Sequence, residues 1–274
     1  MGTLYVVATP IGNLEDVTLR ALRVLGEAEL VLAEDTRHTR VLLERHGVAA
    51  RPRSLHAHNE AARAAEALAA LAAGRRVALV SDAGTPLVSD PGGRLVAQAI
   101  AAGHDVVPVP GPSAVLAALV ASGLSVESFT FVGFLPRKAG ERAARLAALT
   151  GHAETLVFFE SPRRVAATLR ELARAFGARR ACVARELTKL HEESARGSLT
   201  ELAERFATGA RGEVTLVVEG APPAAAPGAD AVRERVRALL AGGASARDIA
   251  ARLARETGTP RRALYALALE EQGR

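Results

Sequence analysis

Residues 77 to 92, VALVSDAGTPLVSDPG, constrain this chain more than any other stretch. Val77, Ala78, Leu79 and Val80 are a short apolar run with two β-branched residues, which predicts a buried strand. The run then breaks into a loop with two glycines, two prolines and two aspartates, the composition of a tight connection. In an open α/β sheet ligands bind outside the carboxyl ends of the strands, so residues 81 to 91 are expected to face a small molecule. Ser81-Asp82 and Ser89-Asp90 flank Gly84-Thr85-Pro86. There glycine permits close backbone approach and proline stiffens the turn, leaving N–H groups and short polar side chains toward a ligand.

The same pattern of apolar run, breaker-rich turn and helix recurs. Residues 4 to 8 (LYVVA) end in Thr9-Pro10-Ile11-Gly12-Asn13, and residues 30 to 32 end in Glu34-Asp35-Thr36-Arg37-His38. Residues 53 to 57 run into His56-Ala57-His58-Asn59-Glu60, and residues 105 to 109 end in Pro110-Gly111-Pro112-Ser113-Ala114. Helices separate these runs; Thr18 is a natural N-cap for the first, with Leu19, Leu22 and Leu25 behind it. This βαβα rhythm predicts a mostly parallel sheet with helices on both faces, in an N-terminal α/β domain of residues 1–112. A second α/β domain, residues 113–220, is expected to hold strands at 129–134, 155–159, 181–185 and 214–219 and helices at 113–121, 141–149 and 164–176. Residues 188–197 are polar, and a strand there would make the second sheet mixed. Residues 221–229, APPAAAPGA, read as a linker to a helical C-terminal unit, 230–274. Its helices are expected at 230–241, 245–256 and 260–270. The last two, joined by a glycine-containing turn, suit either a nucleic-acid-binding helix-turn-helix or a packing cap.

Charge narrows the partner. The net +5 is concentrated in residues 130–190, which carry 12 basic against 5 acidic residues. A local excess of this kind suits a polyanionic partner, nucleic acid first, and equally a solvated arginine face in a chain with 33 Arg to 2 Lys. No run of about 18 apolar residues suggests a membrane span, and MGTLYVV has neither the basic region nor the cleavage site of a signal peptide, so a cytoplasmic location is expected. The lone Cys182 excludes an internal disulfide and a cysteine zinc site, and its apolar surroundings predict a core position.

Several familiar sites fail on spacing. No G-x-G-x-x-G follows the first strand, no G-x-x-x-x-G-K-[ST] occurs, and Ser113 sits in G-P-S-A-V rather than G-x-S-x-G. His56 and His58 are two imidazoles that a catalytic metal would use, with Asp35, His38 and Asp82 as further ligands. Against that stands a simpler role lining a polar pocket or meeting phosphate, and no metal is expected.

Eight segments in order (residues 3–20, 33–40, 54–60, 77–93, 107–114, 131–138, 160–164 and 184–193) resemble the ribosomal RNA small subunit methyltransferase I family, a branch of the tetrapyrrole methylase superfamily. The resemblance spans about residues 3–220, more weakly the C-terminal helices. It implies two α/β domains with S-adenosylmethionine bound in the cleft between them and a homodimeric assembly. It further implies methyl transfer to the ribose 2′-oxygen of a cytidine in small-subunit (16S) ribosomal RNA, free or in the assembled 30S subunit. The superfamily's first glycine-rich turn falls on residues 8–13, where only Gly12 remains, and its G-D-P turn falls on Gly84-Thr85-Pro86. By position the resemblance carries cofactor binding onto Pro10, Thr85, Val88, Ser113, Ala114, Phe159, Glu160 and Leu187.

Transfer from a sulfonium to a hydroxyl is an in-line displacement, for which positioning alone is worth up to ~7–11 kcal/mol. A base near the weakly acidic hydroxyl adds roughly 10²- to 10⁴-fold. Asp35, His38, His56, His58 and Asp82 stand at strand ends; Asp35 oriented by Arg37 is the favoured base. Arg137, Lys138, Arg163 and Arg164, at or near helix starts in the basic segment, are the expected RNA contacts. Two alternatives remain on the same scaffold, a methyltransferase acting on a tetrapyrrole and a non-catalytic RNA-binding protein.

Overall fold

The computed structural model describes residues 1–56, 58–222 and 228–273, which fall into two compact units, Met1–Ala221 and Pro222–Arg274. The linker expected at 221–229 lies mostly outside the described residues.

The first sheet holds β1 (Thr3–Val7), β2 (Leu30–Ala33), β3 (Pro52–Ser54), β4 (Arg76–Val80) and β5 (Asp105–Val109) in the order β3-β2-β4-β1-β5, all parallel. Its connections are α1 (Leu19–Glu27), α2 (Thr36–Arg45), α3 (Glu60–Ala72) and α4 (Gly93–Ala101). Alternate residues of each strand serve opposite layers. Leu4, Leu32, Val77 and Leu79 pack with Leu71 of α3 and Leu95 of α4. Val31, Ala78, Val80 and Val109 pack with Leu25 of α1 and Leu43 of α2. Burial on both faces is why β4 reads as an unbroken apolar run. It also sends the loops after the neighbouring strands β1 and β4 to opposite faces, which opens a crevice at their carboxyl ends. Thr18 does cap α1, accepting the Ala21 N–H at 3.1 Å.

The second sheet holds β6 (Phe129–Phe134), β7 (Thr155–Glu160), β8 (Arg180–Arg185), β9 (Glu193–Ser198) and β10 (Val214–Val218) in the order β6-β7-β10-β8-β9. It is mixed: β6 and β7 run parallel, and every other pair is antiparallel. The polar segment expected as a strand contributes β9 from its second half only. Helices α5 (Ala114–Ser122), α6 (Ala139–Leu149), α7 (Val165–Phe176) and α8 (Leu199–Arg205) flank the sheet. Sequence reading did not anticipate α8, although Ser198 and Glu201 form a capping box at its start. Leu156, Phe158 and Leu216 pack with Leu149, Leu169 and Leu172 on one face. Val157, Cys182 and Val217 meet Ala118 and Leu119 of α5 on the other, so Cys182 is a core residue.

In the C-terminal unit α9 (Ala229–Ala241), α10 (Ala246–Thr257) and α11 (Arg261–Gln272) enclose Val236, Ile249, Leu253, Leu264 and Ala268. Ser245 caps α10, and Gly258 at φ 68° ends it. These two helices therefore pack as part of a three-helix core.

Phe158 of β7 is completely buried in the core against the second sheet. Phe158→Ala is expected to cost about 3–5 kcal/mol of stability, measurable by denaturant titration of the full chain.

Candidate active site

A cavity of about 320 Å³ lies where the carboxyl-end loops of the first sheet face the ends of β7, β8 and β10 in the second. Thr85, Val88, Ser113, Ala114, Phe159, Glu160 and Leu187 line it, together with Ile11, Asp90, Phe134 and Glu213, which sequence reading had not assigned. Pro10 does not line this cavity. It borders a second chamber of about 350 Å³ that shares Ile11, Ala83 and Glu213 with the first.

The backbone shapes these walls. Thr9 and Gly84 exchange two backbone hydrogen bonds, each 2.9 Å, joining the loops that leave β1 and β4. Gly84 adopts φ +77°, a conformation glycine holds without cost. Leu87 and Ser89 hold φ of 73° and 75° with full side chains, a strained loop at the cavity edge. Ser113 caps α5 by accepting the Leu116 N–H at 3.4 Å, so the positive end of that helix dipole meets the cavity. From the second sheet, Thr188 crosses over and its Oγ1 accepts the Asn13 N–H at 3.0 Å.

Two cavity carboxylates differ in how their charge is met. Glu160 is buried, yet Oε1 accepts the Ser161 N–H at 2.7 Å, Oε2 accepts the Thr168 hydroxyl at 2.5 Å, and Arg164 Nε lies 3.5 Å away. Asp90 is less fully compensated: burial pushes its carboxyl above the usual range, the Ser81 hydrogen bond opposes part of that, and repulsion from Asp82 adds to it. Glu34 is pushed up by burial and by Asp90, Asp82 and Asp35. The ends of β2 and β4 thus carry a negative field that a bound cation would relieve.

Arg37 does hold Asp35, the favoured base. Asp35 is the N-cap of α2, accepting the Arg37 N–H at 2.8 Å, while the Arg37 guanidinium grips both carboxylate oxygens. These hydrogen bonds hold the Asp35 carboxyl far below the usual carboxylate range, so it is a poor proton acceptor, and Arg37 is spent on holding it. Asp82 instead accepts the Asp35 N–H at 2.8 Å through Oδ1 and meets His38 Nδ1 at 3.4 Å through Oδ2. His56 and His58 meet edge to face with centroids 5.9 Å apart, and His56 Nδ1 is buried without a partner among the described residues. Among the described residues no three metal-ligating side chains gather.

Arg137, Lys138 and Arg163 are exposed on the loops that follow β6 and β7, beside the cavity residues Phe134, Ser161 and Pro162. Arg164 departs from the expected RNA contact. Its guanidinium donates to the Leu135 carbonyl at 3.2 Å as well as facing Glu160, which ties the two loops together.

Comparison with known proteins agrees with this architecture. The family of Tetrapyrrole (Corrin/Porphyrin) Methylases matches residues 3–203. A Mesorhizobium japonicum protein named ribosomal RNA small subunit methyltransferase I is 50% identical over 97% of this chain and 91% of its own. One of the same name from Synechocystis sp. is 45% identical over 98% of each. Uroporphyrin-III C-methyl transferase from Thermus thermophilus, solved in complex with S-adenyl homocysteine, superposes with a TM-score of 0.60 at 23% identity, covering 80% of this chain and 97% of that one.

The upward shift at Asp90 fixes a sign. A carboxyl whose folded-state value is raised contributes stability below its unfolded value and loses it as pH rises through the folded value. Asp90→Asn is therefore expected to raise the melting temperature at neutral pH, with the gain vanishing as pH falls through the carboxylate range; melting curves across pH check this.

Proposed function

Because the chain belongs to the tetrapyrrole methylase family, in its ribosomal RNA small subunit methyltransferase I branch, we propose that it transfers a methyl group from S-adenosylmethionine to the ribose 2′-oxygen of a cytidine in small-subunit ribosomal RNA. The observation that carries this reading is the cavity between the two sheets, seven of whose lining residues are positions that the family resemblance assigns to the methyl donor.

The residues present fit that donor. Ile11, Val88, Phe134, Phe159 and Leu187 offer apolar walls, the α5 N-terminus suits a carboxylate, and Asp90 suits a cation. S-adenosylmethionine supplies an electrophilic methyl group on a sulfonium sulfur. Asp90, desolvated and without a basic partner, favours that charge, and the fixed walls hold the donor for in-line displacement. In this reading the two sheets are two lobes divided at residues 112 and 113, with the donor seated between them.

Arg137, Lys138 and Arg163 make a basic rim beside the cavity mouth, suited to phosphates of a folded RNA. A homodimer is supported by α5, which is apolar all round: it buries Ala118 and Leu119, while Leu116 and Val120 stay 53% and 74% exposed. Among the described residues no helix is long and apolar enough to cross a membrane, and the ribosomal substrate supports a cytoplasmic site of action.

Labelled S-adenosylmethionine offered with unmethylated small subunits should leave label on RNA ribose; label on a tetrapyrrole precursor alone, or RNA binding without label, would reject the proposal. Replacing Arg137 and Arg163 together by alanine should weaken subunit binding and reduce the slope of log K against log salt by about 1.4–1.8, as two lost phosphate contacts require, with donor affinity unchanged.

A further inference from the structure

The second chamber is lined by Thr9, Pro10, Gly12, His38, Asp82 and Lys189, among others, and is the more polar of the two. It adjoins the donor cavity through shared walls, Ile11, Ala83 and Glu213, with the Thr9–Gly84 pairing between them. Two charged systems face it. On the first-sheet side His38 Nδ1 lies 3.4 Å from Asp82 Oδ2. On the second-sheet side Lys189 Nζ sits 3.0 Å from Glu186 and 2.9 Å from Glu213. The lysine lies close against Gly12, where an added Cβ would come within 2.5 Å of its Cγ.

Resting on the methyltransferase reading, we infer that this chamber receives the acceptor nucleoside and that His38, positioned by Asp82, takes the proton from its ribose hydroxyl. The Asp82 carboxylate near Nδ1, a 3.4 Å contact on a His38 side chain that is 65% exposed, favours the tautomer with the proton on that nitrogen, which leaves Nε2 as the acceptor. Asp82 is held for this task because its other oxygen accepts the Asp35 N–H, and Asp35 is fixed as the cap of α2, the helix that carries His38. The Asp35–Arg37 pair thus acts on the reaction through the placement of Asp82 and His38. In the step itself the hydroxyl O–H bond breaks and its proton passes to Nε2. The freed oxygen pair bonds the methyl carbon as the carbon–sulfur bond breaks, and that bond's electrons remain on sulfur. Positive charge passes from sulfonium to imidazolium, next to Asp82, and water then removes the proton.

Three variants of the full chain test this with small subunits as acceptor and calorimetric binding of S-adenosylhomocysteine as a second readout. His38→Asn retains a donor toward Asp82 but carries no base; kcat is expected to fall about 100-fold or more, with KM and S-adenosylhomocysteine affinity unchanged. Asp82→Asn still accepts the Asp35 N–H but loses the carboxylate that selects the tautomer, and should lower kcat without raising KM. Val41→Trp, on the chamber wall and 55% exposed, should raise KM for the subunit at least tenfold while leaving S-adenosylhomocysteine binding intact. Retention of kcat within threefold by His38→Asn overturns the proton-transfer role, and an unchanged KM in Val41→Trp overturns the chamber assignment. If the wild-type chain methylates no RNA, the functional reading falls and this inference falls with it.

Discussion

The two backbone hydrogen bonds between Thr9 and Gly84 are the constraint on which the site depends. β1 and β4 are neighbours whose connecting helices lie on opposite faces, so without a tie their loops would diverge. The tie keeps them abreast. It places Ile11 in the wall of both chambers, and it leaves Ser81 and Asp82 on one side and Thr85 and Val88 on the other. Such pairing between loops is cooperative with the sheets behind it, because the strands that carry the loops are buried on both faces and cannot shift without opening a close-packed core.

Charge management follows the same division of labour. Glu160 is neutralised from within by Arg164, Thr168 and the Ser161 N–H, and in doing so it locks the loops after β6 and β7 into one rim. Among the described residues Asp90 has no basic partner, at the cost of a partly desolvated carboxylate. A site in which Glu160 and Glu213 are paired and Asp90 is only partly compensated is rigid in its frame and receptive near Asp90, which suits a cationic donor that must be held in a single orientation.

Much of this was legible in the residues. Parallel strands buried on two faces must be written as short apolar runs, and the loops that end them must turn sharply, so β1, β2, β4 and β5 announce themselves together with the cavity positions Thr85, Ser113 and Ala114. Strand β9 was harder to read because an edge strand, paired only with β8, keeps polar residues such as Glu193, Arg196 and Ser198. The departures at the site have one cause. Whether a polar side chain is free or committed depends on partners remote in sequence: Asp82 meets Asp35 across 47 residues, Arg164 meets Leu135 across 29, and Thr188 meets Asn13 across 175. Composition at Asp35 and at Arg164 reads as chemistry, and the fold gives both side chains structural partners that the sequence does not show.

The central claim is that the crevice between the two sheets holds the methyl donor. A crystal structure of the full chain with S-adenosylhomocysteine tests it most directly: the account places the ligand in the cavity bounded by Thr85, Ser113 and Phe159, with its sulfur toward the chamber that contains His38 and Asp82. Density for the ligand at any other surface, or a crevice closed by side chains while ligand is bound elsewhere, would contradict it.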